Sequence, residues 1–478
     1  MLASLLTIVF TFFGYTSSID SLQLPHQDST ILVDSVKSKY VEIDNIFIIG
    51  NRKTKERIIL REMSIEKGQM IYLPDLQEHL ENDRNKILNT RLFIDVQLNV
   101  LELSPDKVDI VIRVDERWYT FPVPIFELVD RNFVDWWVNR NHDFNRVRYG
   151  IRFYQFNMRG NNEKLRLLAQ FGITRRFGIL YSIPYIDQGQ HHGLQLQVNY
   201  KENINQAYKT ENHRQLVHNS EDLLYQQLNA EIKYTYRSEF YNFHEVRAIY
   251  EGSRISDTIN ILNPNFFNNQ LKEQQAMSLV YSFRRDKRDF VSYPLRGHLT
   301  EVTVEKKGLG IFKDVNLFSI DASYSRFFDL GKKFYLSNFT NVYFSTPNTQ
   351  PYSNYKALGY GSKLVRGYEA YVVEGSSYFL NKTSFKKLLW EGKINLFSFL
   401  PRQFNTVPFA IYAKTFFDFG YVNNYPDYEL NTRLTDKWIY SGGIGLDIVT
   451  YYDFVIRLEY SLNAEQEYWF VPDVNRGF

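Results

Sequence analysis

From Trp118 to the C-terminus the residues alternate in character, and no helical period interrupts them. In Gln227–Arg237 the apolar set Leu228, Ala230, Ile232, Tyr234 and Tyr236 is interleaved with Gln227, Asn229, Glu231, Lys233, Thr235 and Arg237. Neighbouring side chains on a strand point to opposite faces, so such a run has one apolar and one polar face. Val147–Gln155 sets Val147, Tyr149, Ile151 and Phe153 against Arg148 and Arg152; Leu165–Phe171, Phe318–Tyr324 and Phe454–Tyr460 repeat the pattern. A soluble sandwich also alternates. Here, however, the strands are long and outward-facing aromatics recur near their ends, as in a membrane barrel. Mean hydropathy is −0.37, too polar for membrane helices, while 35 Tyr and 38 Phe can furnish aromatic girdles. A barrel with a wet lumen accommodates both facts.

Sixteen strands can be placed between 121 and 471, an even number that lets an antiparallel sheet close with both ends on one side. The polar segments 202–222 and 256–274 read as extracellular loops. The fold class is therefore mainly β: a 16-stranded antiparallel transmembrane β-barrel over 118–478, preceded by one small α+β domain.

That domain spans 41–117. Val41–Asn51 alternates and turns at Gly50-Asn51. Thr54–Met63 reads as a short helix with Thr54 as N-cap, and Asp75 opens a second helix with Leu76, Leu80 and Ile87 near one face. Phe93–Leu101 and Lys107–Val114 complete it as strands. Upstream, Leu5–Tyr15 is too short to span a bilayer as a helix. Followed by Thr16, Ser17 and Ser18, it reads as a signal peptide over 1–18, although no Lys or Arg precedes it. Residues 19–40 are a polar linker.

Leu358–Val372 lies between strands but does not alternate, and it carries Arg366, Gly367 and Tyr368 among several glycines. It reads as a loop folded into the lumen, with an exposed surface loop as the alternative. In 406–420 the odd positions Phe409, Ile411, Ala413, Phe417 and Phe419 face lipid. Tyr412, Lys414, Phe416, Asp418 and Gly420 then face the lumen. Asp418 is thereby a natural partner for Arg366, because a guanidinium out of water needs paired acceptors. On the next strand Gly443 and Gly445 share parity with Asp447, a wall on which a loop could pack. The first strand contains Pro122 and Pro124, neither of which can donate to a ladder. The last, around Glu467–Val471, looks short and ends at Pro472. A labile lateral seam is expected between them, flanked by Phe126, Trp469 and Phe470.

Residues 41–117 resemble a POTRA domain, through Gly50-Asn51, Arg61-Glu62, Gly68, Leu92-Phe93 and Val114-Asp115-Glu116-Arg117. Downstream, Arg366-Gly367-Tyr368 resembles the Val-Arg-Gly-Phe/Tyr motif of the BamA/TamA superfamily. Phe416-Phe417-Asp418-Phe419-Gly420 is similar to that family's Phe-x-Asp-x-Gly motif. Asp286, Arg288 and Asp289, followed by Pro294 and Gly297, resemble its mid-barrel signature, and Ser441–Leu446 its glycine-rich strand. C-terminal Phe478 resembles the terminal aromatic of barrel clients. The resemblance implies an outer-membrane protein with its POTRA domain in the periplasm. It also implies that Arg366 contacts Asp418 and that the seam opens sideways. A single POTRA unit departs from assembly factors that carry several.

The implied activity is insertion or translocation of protein. The alternative is a channel or structural barrel that docks a periplasmic or surface partner. Expected partners are the outer-membrane bilayer, unfolded client proteins, and periplasmic or lipoprotein accessory subunits. Net charge +2 gives no footprint for nucleic acid. The absence of cysteine excludes disulfides, thiol catalysis and thiolate metal sites. No hydrolase, zinc-protease or phosphate-loop motif is present, and His191-His192 reads as a solvated turn, so neither enzyme activity nor cofactor nor metal is expected.

Overall fold

The computed structural model describes residues 40–128, 134–139, 141–142, 147–312, 314–395, 406–426, 428–450 and 454–476. The expected signal peptide, the linker up to Lys39, and Phe478 lie outside them.

The N-terminal domain consists of β1 (Tyr40–Ile49), α1 (Glu56–Leu60), β2 (Met70–Tyr72), α2 (Leu73–Asn89), β3 (Phe93–Ser104) and β4 (Lys107–Glu116). The sheet order is β2-β1-β4-β3, with β1 and β4 parallel. Leu76, Leu80 and Ile87 recur on one face of α2 and meet Ile43, Phe93, Val96, Ile110 and Ile112 in a closed core. Each such side chain contributes about 1.5–3 kcal/mol on burial. Asp83 shares that face; it is buried and accepts the backbone N–H groups of Ser64 and Ile65.

Three local expectations are corrected. Thr54 does not cap α1; the N-cap is Lys55, and the Thr54 hydroxyl lies 2.6 Å from a Glu116 carboxylate oxygen that also takes its N–H. The hydroxyl oxygen in turn accepts from Asn157 Nδ2 at 2.8 Å, so its acceptor capacity is turned to the barrel and not to the helix end. The second helix opens at Leu73, ahead of Asp75, with Pro74 in the first turn where its missing N–H costs nothing. A short strand, β2, was not anticipated.

Sixteen strands of the described residues then form one antiparallel sheet. The first five are β5 (Thr120–Leu128), β6 (Val147–Met158), β7 (Glu163–Gly172), β8 (Thr174–Ile183) and β9 (His192–Asn203). A separate hairpin of β10 (Asn205–Glu211) and β11 (Arg214–Asn219) follows. The sheet resumes with β12 (Tyr225–Arg237), β13 (Asn242–Ile255), β14 (Glu273–Asp286), β15 (Gly297–Lys307), β16 (Leu317–Gly331) and β17 (Phe334–Thr346). A long loop is pinched by β18 (Ala357–Leu358) and β19 (Val373–Glu374). The sheet ends with β20 (Ser377–Asn395), β21 (Thr406–Asn423), β22 (Trp438–Val449), β23 (Phe454–Asn463) and β24 (Tyr468–Arg476). Tyr149, Ile151, Leu167, Phe177, Val198, Ile232 and Phe417 are exposed on the outside, while Lys414, Asp418 and Asp447 are buried within. Among the described residues no helix is long and apolar enough to cross a membrane.

The segments expected as extracellular loops are ordered. Besides the β10–β11 hairpin, α3 (Asp257–Leu262) begins at Ser256, whose hydroxyl accepts the Ile259 N–H. Leu224, Ile259, Phe266 and Phe267 bury a small core there with Tyr208, Tyr225 and Tyr352. The hairpin tip binds two other loops: Val372 N–H donates to the His213 carbonyl, and Leu434 N–H to His213 Nε2. A dome of loops therefore roofs this end.

The last strand also runs further than expected, through Pro472 to Arg476. Ladder parity explains how. Asn463 N–H donates to the Glu467 carbonyl, and the register continues unbroken from Leu462–Tyr468 to Phe454–Arg476. Bonded pairs alternate with non-bonded ones, so odd residues of β24 bond to β23 and even ones point outward. Pro472 thus puts its nitrogen on the free edge, where a strand tolerates it. The same holds for β5. Phe156 N–H donates to the Tyr119 carbonyl in register with Thr120–Gln155, so Pro122 and Pro124 also point their nitrogens away from β6. Among the described residues no ladder joins β5 to β24.

Candidate functional site

The 347–376 loop drops Arg366 against the lumenal faces of β20, β21 and β23. Gly367 at φ +87° turns the chain there, and a Cβ on it would lie 3.2–3.4 Å from Ser461, Ser441 and Asn463. Arg366 donates from Nε (2.8 Å) and a terminal nitrogen (2.6 Å) to the two oxygens of Asp418, and its backbone N–H adds a third bond. Its remaining donors reach Glu459 and the Ser384 hydroxyl, both at 3.1 Å. The guanidinium lies 3.8 Å from the centroid of the Phe416 ring. Asp418 is fully buried and Arg366 nearly so.

This pair is one end of a longer network. Lys414 binds both Glu459 and Asp447. Asp447 accepts a 2.8 Å bond from the Tyr293 hydroxyl, and Lys386 lies 4.3 Å from the Tyr293 ring centroid. Tyr293 comes from the β14–β15 turn, which enters the lumen from the N-terminal-domain end. Bonded charges thus connect the dropped loop at one end of the barrel to a turn at the other. In a poorly hydrated interior such a network is rigid when complete and costly when broken.

Gly420 makes room for the loop: an added Cβ would sit 2.9 Å from Leu358 and 3.1 Å from Val365. Gly443 and Gly445 do not form the wall expected of them. Their missing Cβ atoms leave room for Phe416 and Lys414, respectively, from the neighbouring strand. They act one layer below the loop, beneath the groups that touch Arg366 and Glu459. Tyr368 packs with Val365, Ala370, Leu380 and Ile439. Beside it, the Ala370 carbonyl accepts from Asn139, which follows β5, while the Tyr371 hydroxyl donates to Glu467, which precedes β24. Two consecutive loop residues therefore touch both flanks of the unpaired edge.

Along that edge Phe126 and Phe470 are exposed on the outer face, and Trp469 packs inward against the loop cluster. The mid-barrel residues are elsewhere. Arg288 forms a two-bond pair with Asp286 (2.8 and 2.6 Å), and Asp289 accepts the N–H groups of Phe290 and Leu295. They shape the turn that presents Tyr293. Asn89 of α2 grips the same turn through the Asp289 carbonyl and the Val291 N–H.

Contacts between the N-terminal domain and the barrel went unread in the sequence. Glu62 takes two bonds from Arg237 of β12, at 2.6 and 2.7 Å, and a third from Tyr185. A cavity of about 1000 Å³ lies beside this pair, lined among others by Lys164, Lys233, Arg284, Glu245 and Asp329. Only one signal was available: Arg237 ends an alternating run on its polar parity. Glu459 and Tyr293 were likewise missed, although strand parity alone puts Glu459 in the lumen. Among the described residues no cluster of His, Asp or Glu could hold a metal ion.

A family model described as the Omp85 superfamily domain matches residues 157–465, and a POTRA model, described as a surface antigen variable number repeat, matches residues 41–117. Among solved structures, BamA from Haemophilus ducreyi lacking POTRA domains 1–3 is similar at 14% identity and TM-score 0.50, over 91% of this chain and 85% of that one. CdiB from Escherichia coli is similar at 11% identity and TM-score 0.52, over 91% and 75%. At these identities the likeness is one of fold. No curated protein matches the sequence.

Proposed function

We propose a function from one premise: the chain belongs to the Omp85 superfamily. It is an outer-membrane β-barrel of a kind that inserts or translocates protein. In our reading an unfolded client reaches the POTRA domain from the periplasm and leaves through the edge between β5 and β24. The observation that carries this is the unpaired edge itself. Strands in hydrocarbon must satisfy their backbone groups, and in the described residues the sheet ends on two free edges. An entering strand that pairs there relieves that cost and buries its own apolar face, so no nucleotide is needed.

The Arg366–Asp418 contact serves as the latch. With Ala370 and Tyr371 against both flanks, the dropped loop holds the extracellular end of the edge in place. The loop dome disfavours an open channel. In-cell photocrosslinking from Phe126 and Trp469, with adducts identified by mass spectrometry, tests the reading. Many different barrel proteins would indicate a general insertase, and one dedicated protein a translocator. Crosslinks confined to β5 and β24 themselves would refute passage at this edge.

A further inference from the structure

Near the POTRA-domain end, the outer face of the barrel carries cations that no carboxylate answers. The aromatic girdle there runs through His192, Tyr234, Tyr236, His244, Tyr281 and Phe283. His192 Nδ1 lies 2.6 Å from the Tyr234 hydroxyl, and His244 Nδ1 lies 2.9 Å from that of Tyr281. Such girdles mark the level where hydrocarbon gives way to headgroups. Beside it, on β14–β17, the ladder register sets out two rows of three on the same outward parity. Arg285 faces Thr300, which faces Tyr324; His298 faces Arg326, which faces Asn338. Neighbouring strands lie ~4.8 Å apart and the two rows ~7 Å apart. Arg285 and His298 sit next to the ends of β14 and β15, by the turn that Asn89 of α2 grips.

None of the outward strand positions at this end of β12–β17 is acidic, and among the described residues no carboxylate pairs with Arg285 or Arg326. Arg326 is held instead by neutral groups. A terminal nitrogen donates to His298 Nδ1 at 3.1 Å, and the guanidinium lies 5.1 Å from the Phe328 ring centroid. With Nδ1 accepting, His298 carries its proton on Nε2, a further donor. Lys287, opposite His298, is not part of the set: its ammonium lies 5.3 Å from the Tyr241 ring centroid and it lines the cavity beside the POTRA domain. A guanidinium at the border of hydrocarbon needs an anion, and phosphate matches its fork. The bilayer supplies phosphate at this level. A headgroup with an ammonium of its own would add a cation beside Arg285 and Arg326, with no acidic side chain to receive it. We propose that Arg285, His298, Thr300, Tyr324 and Arg326 hold the phosphodiester of a net-negative phospholipid in the leaflet on the POTRA-domain side. β14, β15 and β16 are the eighth to tenth of the sixteen strands, so the lipid is held on the wall opposite the β5–β24 edge. There it fixes the height of that wall in the bilayer. The choice of leaflet rests on the periplasmic placement of the POTRA domain; the binding chemistry does not.

Native mass spectrometry of the full chain in detergent, titrated with phosphatidylglycerol, tests this. The unaltered protein should retain one phosphatidylglycerol in preference to phosphatidylethanolamine by about tenfold or more. Arg285→Gln with Arg326→Gln should abolish that preference and weaken phosphatidylglycerol binding by about tenfold or more. Lys387→Gln, which removes an outward cation at the same end that lies over Phe334, should change neither. Heat-modifiability on gels shows that each variant is folded. Equal binding of phosphatidylglycerol by the glutamine pair and the unaltered protein would overturn the proposal, as would the lack of a headgroup preference in the unaltered protein. Displacement of the lipid by an equal concentration of inorganic phosphate would reassign the site to a free anion and overturn it as a lipid site. Labelling of Glu66→Cys on the POTRA domain by a membrane-impermeant maleimide in intact cells would overturn the periplasmic placement, and with it the leaflet, while leaving the phosphodiester site standing.

Discussion

Replacing Arg366 by alanine should release the lumenal loop. In the folded barrel Asp418 has no exposure to water and takes three hydrogen bonds from Arg366. The substitution removes the two side-chain bonds to Asp418, the contact with Glu459 and the guanidinium stacked on Phe416. Removing one partner of a buried charge pair costs about 3–5 kcal/mol, because the other is left uncompensated. At about 1.4 kcal/mol per tenfold, the population of the released loop should rise by roughly two to four orders of magnitude. Val365, the preceding residue, is 1% exposed, so a Val365→Cys thiol reacts with reagent only when the loop lifts. In this otherwise cysteine-free chain its labelling rate reads that population directly. Arg366→Ala should accelerate labelling by a factor in that range. Arg366→Lys should give an intermediate rate, since it keeps the charge but loses the fork and the stacking. Arg366→Ala with Asp418→Ala should label more slowly than Arg366→Ala alone, because no orphan carboxylate remains at 418. An unchanged labelling rate in Arg366→Ala would refute the reasoning.

Three further outcomes are expected. Arg237→Ala orphans buried Glu62 and should broaden spin-label distances between the POTRA domain and the barrel, whereas Glu62→Ala with Arg237→Ala should broaden them less. Gly420→Ala drives a methyl into Leu358 and Val365; overpacking of this kind costs about 1–3 kcal/mol and should raise loop release without changing the fold. In the loop dome, burial pushes the Glu374 carboxyl up to about 7, against hydroxyls of Tyr360, Thr210 and Tyr428 that favour its charge. A raised carboxyl stabilises the folded dome below its unfolded value near 4.5, and that stability is lost as pH rises through 7. Amide protection in the dome, after division by the intrinsic base-catalysed exchange rate, should therefore be lower at pH 8 than at pH 5.5, and Glu374→Gln should flatten the difference.

The barrel was legible because lipid on one side and water on the other force every strand into period two. That is why sixteen strands could be placed, and why parity alone assigned Asp418 and Lys414 to the lumen. Parity says which face a residue occupies but not whom it meets there. Lys414 was recognised as lumenal without Glu459 or Asp447, because those partners come from strands whose closeness depends on register. Glu62 and Arg237 are 175 residues apart in sequence, and only the docking of one domain on the other unites them. The order within the loops went unread because their core is small: five buried residues hold it, too few and too scattered to make a period. Pro472 was read as a strand terminator because the edge position that tolerates it is a property of the sheet. Gly443 and Gly445 were read as bare wall because strand parity cannot reveal that Phe416 and Lys414 lie across them.

The central claim is that protein leaves through the edge between β5 and β24, and a tethered edge tests it most directly. Phe126→Cys and Phe470→Cys, both on exposed outer-face positions, would be joined by a flexible bifunctional maleimide in the otherwise cysteine-free chain. Folding of a urea-unfolded outer-membrane barrel polypeptide into proteoliposomes would then be followed by gel shift. The account predicts that the untethered protein accelerates folding, and that tethering abolishes the acceleration until the linker is cleaved. Equal acceleration by tethered and untethered protein would contradict it.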